Sequence, residues 1–210
     1  MPLKNLSRLS GKRVLLLCHS GCDVDSIGSA ASIHFSLGAK SKTIIGIPDH
    51  MNTGAKALCQ KLSIPFTINP RLSGFDAVVC VDFSEPAMLG SMKDGFMAFN
   101  GEKFLVDHHS GGQHEKLAPE KNTRISTKAV STTEIVYDLL KASKIKIPQK
   151  ALSCIACGII TDSSSFLVAD HETFAIMSEI MRKAKMPYRE FVSLFRQEPD
   201  ASQKIACLKA

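Results

Sequence analysis

The sequence predicts an α/β fold, a Rossmann-like parallel β-sheet flanked by helices, and three observations carry that expectation. Apolar runs of strand length alternate with stretches of helical period, as expected when strands are joined by covering helices. The 210 residues are 44% hydrophobic and 22% charged, the composition of a soluble domain able to bury one core. The acids and histidines fall just after apolar runs, where the loops of an open parallel sheet converge on a ligand crevice.

The elements follow in order. Arg13 to Cys18 (RVLLLC) reads as the first strand, the polar turn HSGCDVD follows, and a helix runs from Ser26 to Leu37 with Gly38 to close it. Thr43 to Ile47 is a second strand, Thr53 to Leu62 a helix, and Ala77 to Val81 (AVVCV) a strand apolar enough to be buried on both faces. Lys103 to Val106 is the next strand. Ser131 to Ala142 (STTEIVYDLLKA) has helical spacing, and Glu134 stands three positions after Ser131 in a capping-box pattern. Gln149 to Ile160 and His171 to Lys185 also read as helices, and Pro187 opens another. Residues 1–196 are expected to form the catalytic domain, and residues 197–210 a linker or terminal helix.

No apolar run approaches the roughly 18 residues of a membrane span. The basic start MPLKNLSRLSGKR leads into five apolar residues, too few for a signal-peptide core, so a cytoplasmic protein is expected. Seven cysteines, an odd number without an export signal, imply reduced thiols. Cys154 and Cys157 have CxxC spacing, but their surroundings ALSCIACGII are apolar, which reads as core packing. The net charge of +6 is spread over dispersed Lys and Arg, tryptophan is absent, and Tyr137 and Tyr188 are the only tyrosines. Long nucleic acid is therefore not an expected partner.

The chemistry concentrates in four places: His19, Asp23 and Asp25 after the first strand, Asp82 after AVVCV, Asp107, His108 and His109 after KFLV, and Asp162 after the apolar Gly158 to Thr161. Singly, Asp23 or Asp25 reads as a cap for the helix near Ser26, Asp82 as a cap for a short helix, and Asp162 as turn chemistry. Brought together, these carboxylates would repel one another unless a cation compensates them. Oxygen and imidazole donors without thiolate suit Mn²⁺ or Mg²⁺, and the surplus of carboxylates suits two ions.

These segments resemble the DHH phosphoesterases, named for the triplet that stands here as Asp107, His108 and His109. HSGCDVDSIGSA is similar to the family's first motif, VVCVDFS to its second, LVDHHS to its third and GIITDSSSF to its fourth. STTEIVYDLL is similar to the stretch found between the last two in the oligoribonuclease and phosphodiesterase branch that includes NrnA. The resemblance implies two manganese ions, with magnesium or cobalt as alternatives. His19, Asp23 and Asp82 would hold one ion, and Asp25, Asp82, His108 and Asp162 the other. It makes Asp107 an orienting residue and His109 the group facing substrate. Ser26, Gly28 and Ser29 open the following helix, either as an anion cradle or as close packing. Cys22 stands where many members have Pro, and Val24 where many have a small residue. The Gly-rich, His-containing C-terminal domain usual in the family is expected to be absent. The implied partner is a short oligonucleotide or small nucleotide substrate, with a homodimer as the expected assembly. The alternatives are a pyrophosphatase or exopolyphosphatase, or a non-catalytic nucleic-acid-binding relative.

Overall fold

A computed structural model describes residues 3–38 and 41–196. It contains a parallel sheet of six strands in the order β3-β2-β1-β4-β5-β6, where β1 is Arg13–Leu17, β2 Lys42–Ile47, β3 Thr67–Ile68, β4 Ala77–Val81, β5 Glu102–Asp107 and β6 Thr123–Ile125. The chain moves outward from β1 to β3 and then restarts at β4 on the other side of β1. The carboxyl ends of β1 and β4 therefore flank a topological switch point, where open α/β sheets place their ligands.

Successive side chains of a strand point to opposite faces, and the central strands feed two cores accordingly. Val14, Leu16, Val79, Val81, Phe104 and Val106 join the larger one, whereas Leu15, Leu17, Val78, Cys80 and Leu105 join the smaller. The larger core is closed by α1 (Val24–Leu37), α2 (Thr53–Leu62), α5 (Thr132–Ala142) and α6 (Gln149–Asp162), with α7 (His171–Ala184) and α8 (Tyr188–Phe195) packed on α6. The smaller core is covered by a 3-10 segment, Pro86–Met92, and the short α3 (Lys93–Met97) and α4 (His114–Leu117). Helix α6 is buried from Ala151 to Ile160, so it is apolar all round because neighbours surround it. Cys154 and Cys157 are fully buried there as packing residues.

The principal strands and helices stand where the sequence places them, with instructive differences. Helix α1 begins at Val24, two residues before the expected start, because Asp23 caps it by accepting from Ser26 N–H at 2.9 Å. Ser131 caps α5 as expected, but the Glu134 carboxylate accepts from Val130 N–H, not from the cap residue itself. Asp82 caps nothing: the 3-10 segment after it begins beyond Glu85, without a side-chain cap bond. Asp162 is the last residue of α6, which runs two residues beyond its expected end at Ile160. Strands β3 and β6, at two and three residues, are too short to show a period in sequence. The expected linker or terminal helix at 197–210 lies outside the described residues. Among the described residues, no helix is long and apolar enough to cross a membrane.

Helices α1 and α6 approach closely at Gly28, where a Cβ would lie 2.9 Å from the carbonyl oxygen of Cys154. Replacing glycine by alanine inside a helix ordinarily stabilises by about 1 kcal/mol. Here the added methyl must push backbone, so Gly28→Ala should destabilise by about 1–3 kcal/mol, read as a lower urea midpoint at unchanged slope.

Candidate metal centre

Every predicted site residue comes to one place, the crevice at the carboxyl ends of β1, β4 and β5. β1 leads into His19 and the Asp23 cap, the first turn of α1 supplies Asp25, β4 leads into Asp82, and β5 ends on Asp107 ahead of His108 and His109. Asp162 arrives from the far side, on the last residue of α6. Donor atoms of His19, Asp23 and Asp82 all lie within 4.8 Å of one another, as do those of Asp25, Asp82, His108 and Asp162, and those of Asp82, His108 and His109. Asp82 belongs to all three sets. His19 Nε2 is 3.7 Å from Asp82 Oδ2, and His108 Nε2 is 3.6 Å from Asp82 Oδ1 and 3.3 Å from Asp162 Oδ2.

The carboxylates are held by the surrounding backbone. Asp25 is fully buried, and its two oxygens accept from Thr132 N–H at 2.6 Å and Thr133 N–H at 3.0 Å, the opening N–H groups of α5. A helix N-terminus favours an anion at that position. The Thr132 hydroxyl donates to Asp82 Oδ1 at 3.0 Å, so one turn of α5 orients two candidate ligands. Asp82 itself has a left-handed backbone, φ +66°. Asp tolerates that region better than most residues, but it is still a costly conformation of the kind that collects at functional sites. Asp107, fully buried, accepts from His109 Nδ1 at 2.7 Å and from His114 Nε2 at 3.1 Å. His114 was not singled out by the sequence reading: it lies on α4, a four-residue helix with no periodic signal.

Among the described residues, no Lys or Arg pairs with any of these carboxylates; their ionic partners are histidines. The titration behaviour reflects that shortage of cations. Burial, then the charges of Asp82 and Asp162, push Asp25 well above the carboxylate range, and burial likewise raises Asp82. Burial works against a charged His19, yet contacts with Asp23 and Asp82 prevail and hold its pKa up at about 11. His108 is raised in the same way, against its burial, by Asp162 and Asp82. At His109 the hydrogen bond to Asp107 is the main cause of an upward shift. Protons thus offset the crowded negative charge, and a bound cation would take over that role. The donor set is oxygen and imidazole only, so it fits hard or borderline divalent ions. Ser26, Gly28 and Ser29, by contrast, are buried in packing, and Ser26 N–H is used by the Asp23 cap. They are not an open anion cradle.

Residues 13–159 match the sequence profile described as the DHH family, N-terminal domain. An uncharacterized protein of Methanocaldococcus jannaschii is 26% identical over 211 aligned residues, covering 98% of this chain and 61% of that protein. A protein of Streptococcus mutans described as a probable bifunctional oligoribonuclease and PAP phosphatase, NrnA, is 31% identical over 107 residues, 50% of this chain and 32% of that one. Among solved structures, an exopolyphosphatase-related protein from Bacteroides fragilis superposes with a TM-score of 0.77 at 20% identity, covering 96% of this chain and 61% of that chain. That likeness concerns the fold. The chain spans about 61% of the Methanocaldococcus protein that it matches almost end to end.

The packing behind the centre makes a prediction. A Cβ on Gly158 would fall 2.6 Å from Asp25 Oδ1 and 2.5 Å from Thr133 Oγ1. Gly158→Ala should therefore displace the Asp25 carboxylate and weaken divalent-cation binding by about tenfold or more, in the range of losses seen when groups supporting a metal ligand are disturbed. Equilibrium dialysis with Mn²⁺ measures it.

Proposed function

Because the chain belongs to the DHH family, whose members are divalent-metal-dependent hydrolases, we propose that it is a phosphoesterase acting on short oligonucleotides, cyclic dinucleotides or 3′-phosphorylated nucleotides with two manganese ions. The single observation that carries this reading is the pair of donor sets that meet at Asp82. His19, Asp23 and Asp82 would hold one ion, and Asp25, Asp82, His108 and Asp162 the other. Bound there, such ions would supply activation of a water and neutralisation of phosphoryl charge.

The chain's own residues do the rest. Asp82 draws the two sets together, and Thr132 and Thr133 keep Asp82 and Asp25 pointed inward. Asp107 occupies Nδ1 of His109 and leaves Nε2 free, on a side chain that is 45% exposed at the mouth of the crevice. A ring so held can donate from Nε2 to a phosphate oxygen or protonate the departing oxygen. His114, on the other oxygen of Asp107, steadies the carboxylate that does the holding. The nucleotide preference is supported by the NrnA relative, matched over half of this chain. Manganese suits the mixed carboxylate and imidazole set, with magnesium or cobalt as substitutes.

The deciding assay is hydrolysis of a panel comprising a short oligoribonucleotide, a cyclic dinucleotide, 3′-phosphoadenosine 5′-phosphate and pyrophosphate, each with Mn²⁺ and with chelator. Preferential, chelator-sensitive cleavage of one nucleotide class is expected. Preference for pyrophosphate would reassign the substrate, and silence on the whole panel would defeat the reading. Asp82→Asn, which keeps the size and tolerance of positive φ, should lower metal-dependent hydrolysis by more than about a hundredfold, beyond what loss of a supporting residue costs. His109→Ala should cut turnover by about a hundredfold or more while metal occupancy, measured by elemental analysis, stays near that of the parent protein. Equal losses in both would make His109 a ligand.

A further inference from the structure

The crevice has a second rim that mirrors the first. In the sheet, β5 adjoins β4 on one side of the switch point and β2 adjoins β1 on the other. The loop after β5 carries Asp107 and His109; the loop after β2 carries Asp49 and His50. His50 resembles His109 in part: its side chain is 69% exposed, and its Nδ1 lies within ion-pair reach of Asp49 Oδ1, at 3.0 Å, although Asp49 is itself exposed where Asp107 is buried. Asp49 is in turn fixed to the loop of the metal centre, accepting from the Ser20 hydroxyl and, at 3.1 Å, from Gly21 N–H.

The two loops are laced together. Cys22 N–H donates to the His50 carbonyl at 3.0 Å, and Asn52 N–H to the Cys22 carbonyl at 2.9 Å. The His50 ring therefore lies over Gly21, where a Cβ would be 3.6 Å from Nε2. Gly21 is two residues from His19 and two from Asp23. Closing the loop does not require this ring: the backbone bonds just named and the Asn52 cap on Ala55 N–H, at 2.8 Å, already do so. An exposed imidazole whose Nδ1 side faces a fixed carboxylate has Nε2 left to offer a ligand.

We propose that Asp49 and His50 form a second phosphate-recognising pair on this rim, where His50, as an imidazolium set between the Asp49 carboxylate and the ligand, donates from Nε2 to an oxygen of a phosphate adjacent to the one being hydrolysed. The inference rests on the phosphoesterase reading and narrows it to substrates with two neighbouring phosphates. His50 is a specificity-determining contact and Asp49 a positioning residue.

Calorimetric titration of the magnesium-loaded full chain with imidodiphosphate, a non-hydrolysable two-phosphate probe, and with inorganic phosphate tests it without turnover. His50→Ala should weaken imidodiphosphate about tenfold, the scale of one hydrogen bond to a charged group, and leave inorganic phosphate within about twofold. His50→Gln, which keeps a donor at similar reach, should recover part of the loss, and Asp49→Asn should fall between, all with an unchanged thermal midpoint. Equal imidodiphosphate affinity in His50→Ala and the parent protein, equal weakening of both probes, or no imidodiphosphate binding by the parent would overturn the proposal. Chelator-sensitive hydrolysis of the substrate panel by the parent protein tests the phosphoesterase reading separately, so the two can fail independently.

Discussion

The carboxylate of Asp25, held by two backbone N–H groups of Thr132 and Thr133, is the contact around which the rest of the centre is assembled. It joins the first turn of α1 to the first turn of α5 across more than a hundred residues of chain. A carboxylate buried without such donors would be prohibitively costly; at a helix N-terminus it is met by aligned peptide dipoles. The neighbouring Thr132 hydroxyl reaches Asp82, so the same turn sets the spacing between two candidate ligands. Gly158 leaves the room this needs, and α6 then delivers Asp162 four residues later. Fold and site are consequently one problem: the close approach of α1, α5 and α6 that packs the large core also places the donors.

Much of this was legible in the sequence, for identifiable reasons. Strands β1, β4 and β5 are central and buried on both faces, so they appear as unbroken apolar runs, and the acids after them appear as sharp changes of character. What escaped notice was short or tertiary. Strands β3 and β6 exist through pairing with one neighbour each. The Asp49 and His50 pair follows β2, and its approach to Ser20 and Gly21 exists only once β2 lies beside β1. Asp23 offers both readings at once, since its carboxylate caps Ser26 N–H while the side chain also lies beside His19 and Asp82 as a candidate ligand. The same dual use could not be read at Asp25, because its partners at Thr132 and Thr133 are adjacent only once the helices pack.

The electrostatics follow from the same economy. Asp25 and Asp82 are buried together without Lys or Arg pairing among the described residues, an arrangement that favours protonation or a bound cation. At Asp23 and Asp107 burial is instead outweighed by the histidine and backbone N–H hydrogen bonds, which hold the carboxyl below the usual range. Carboxylates of one chemical type are thereby divided by environment, some raised by burial and some lowered by hydrogen bonds, and the second kind borders the first.

Several cysteines stand close in sequence to the candidate ligands without offering them sulfur. Cys22 directly precedes Asp23, yet it is fully buried, and burial pushes its thiol well up; Cys80 and Cys154 are treated alike. A protonated, enclosed thiol is a poor competitor for copper, cadmium or other thiophilic metals. With sulfur buried behind the carboxylates, the donors that face the crevice are oxygen and imidazole alone, and the thiols serve as core volume.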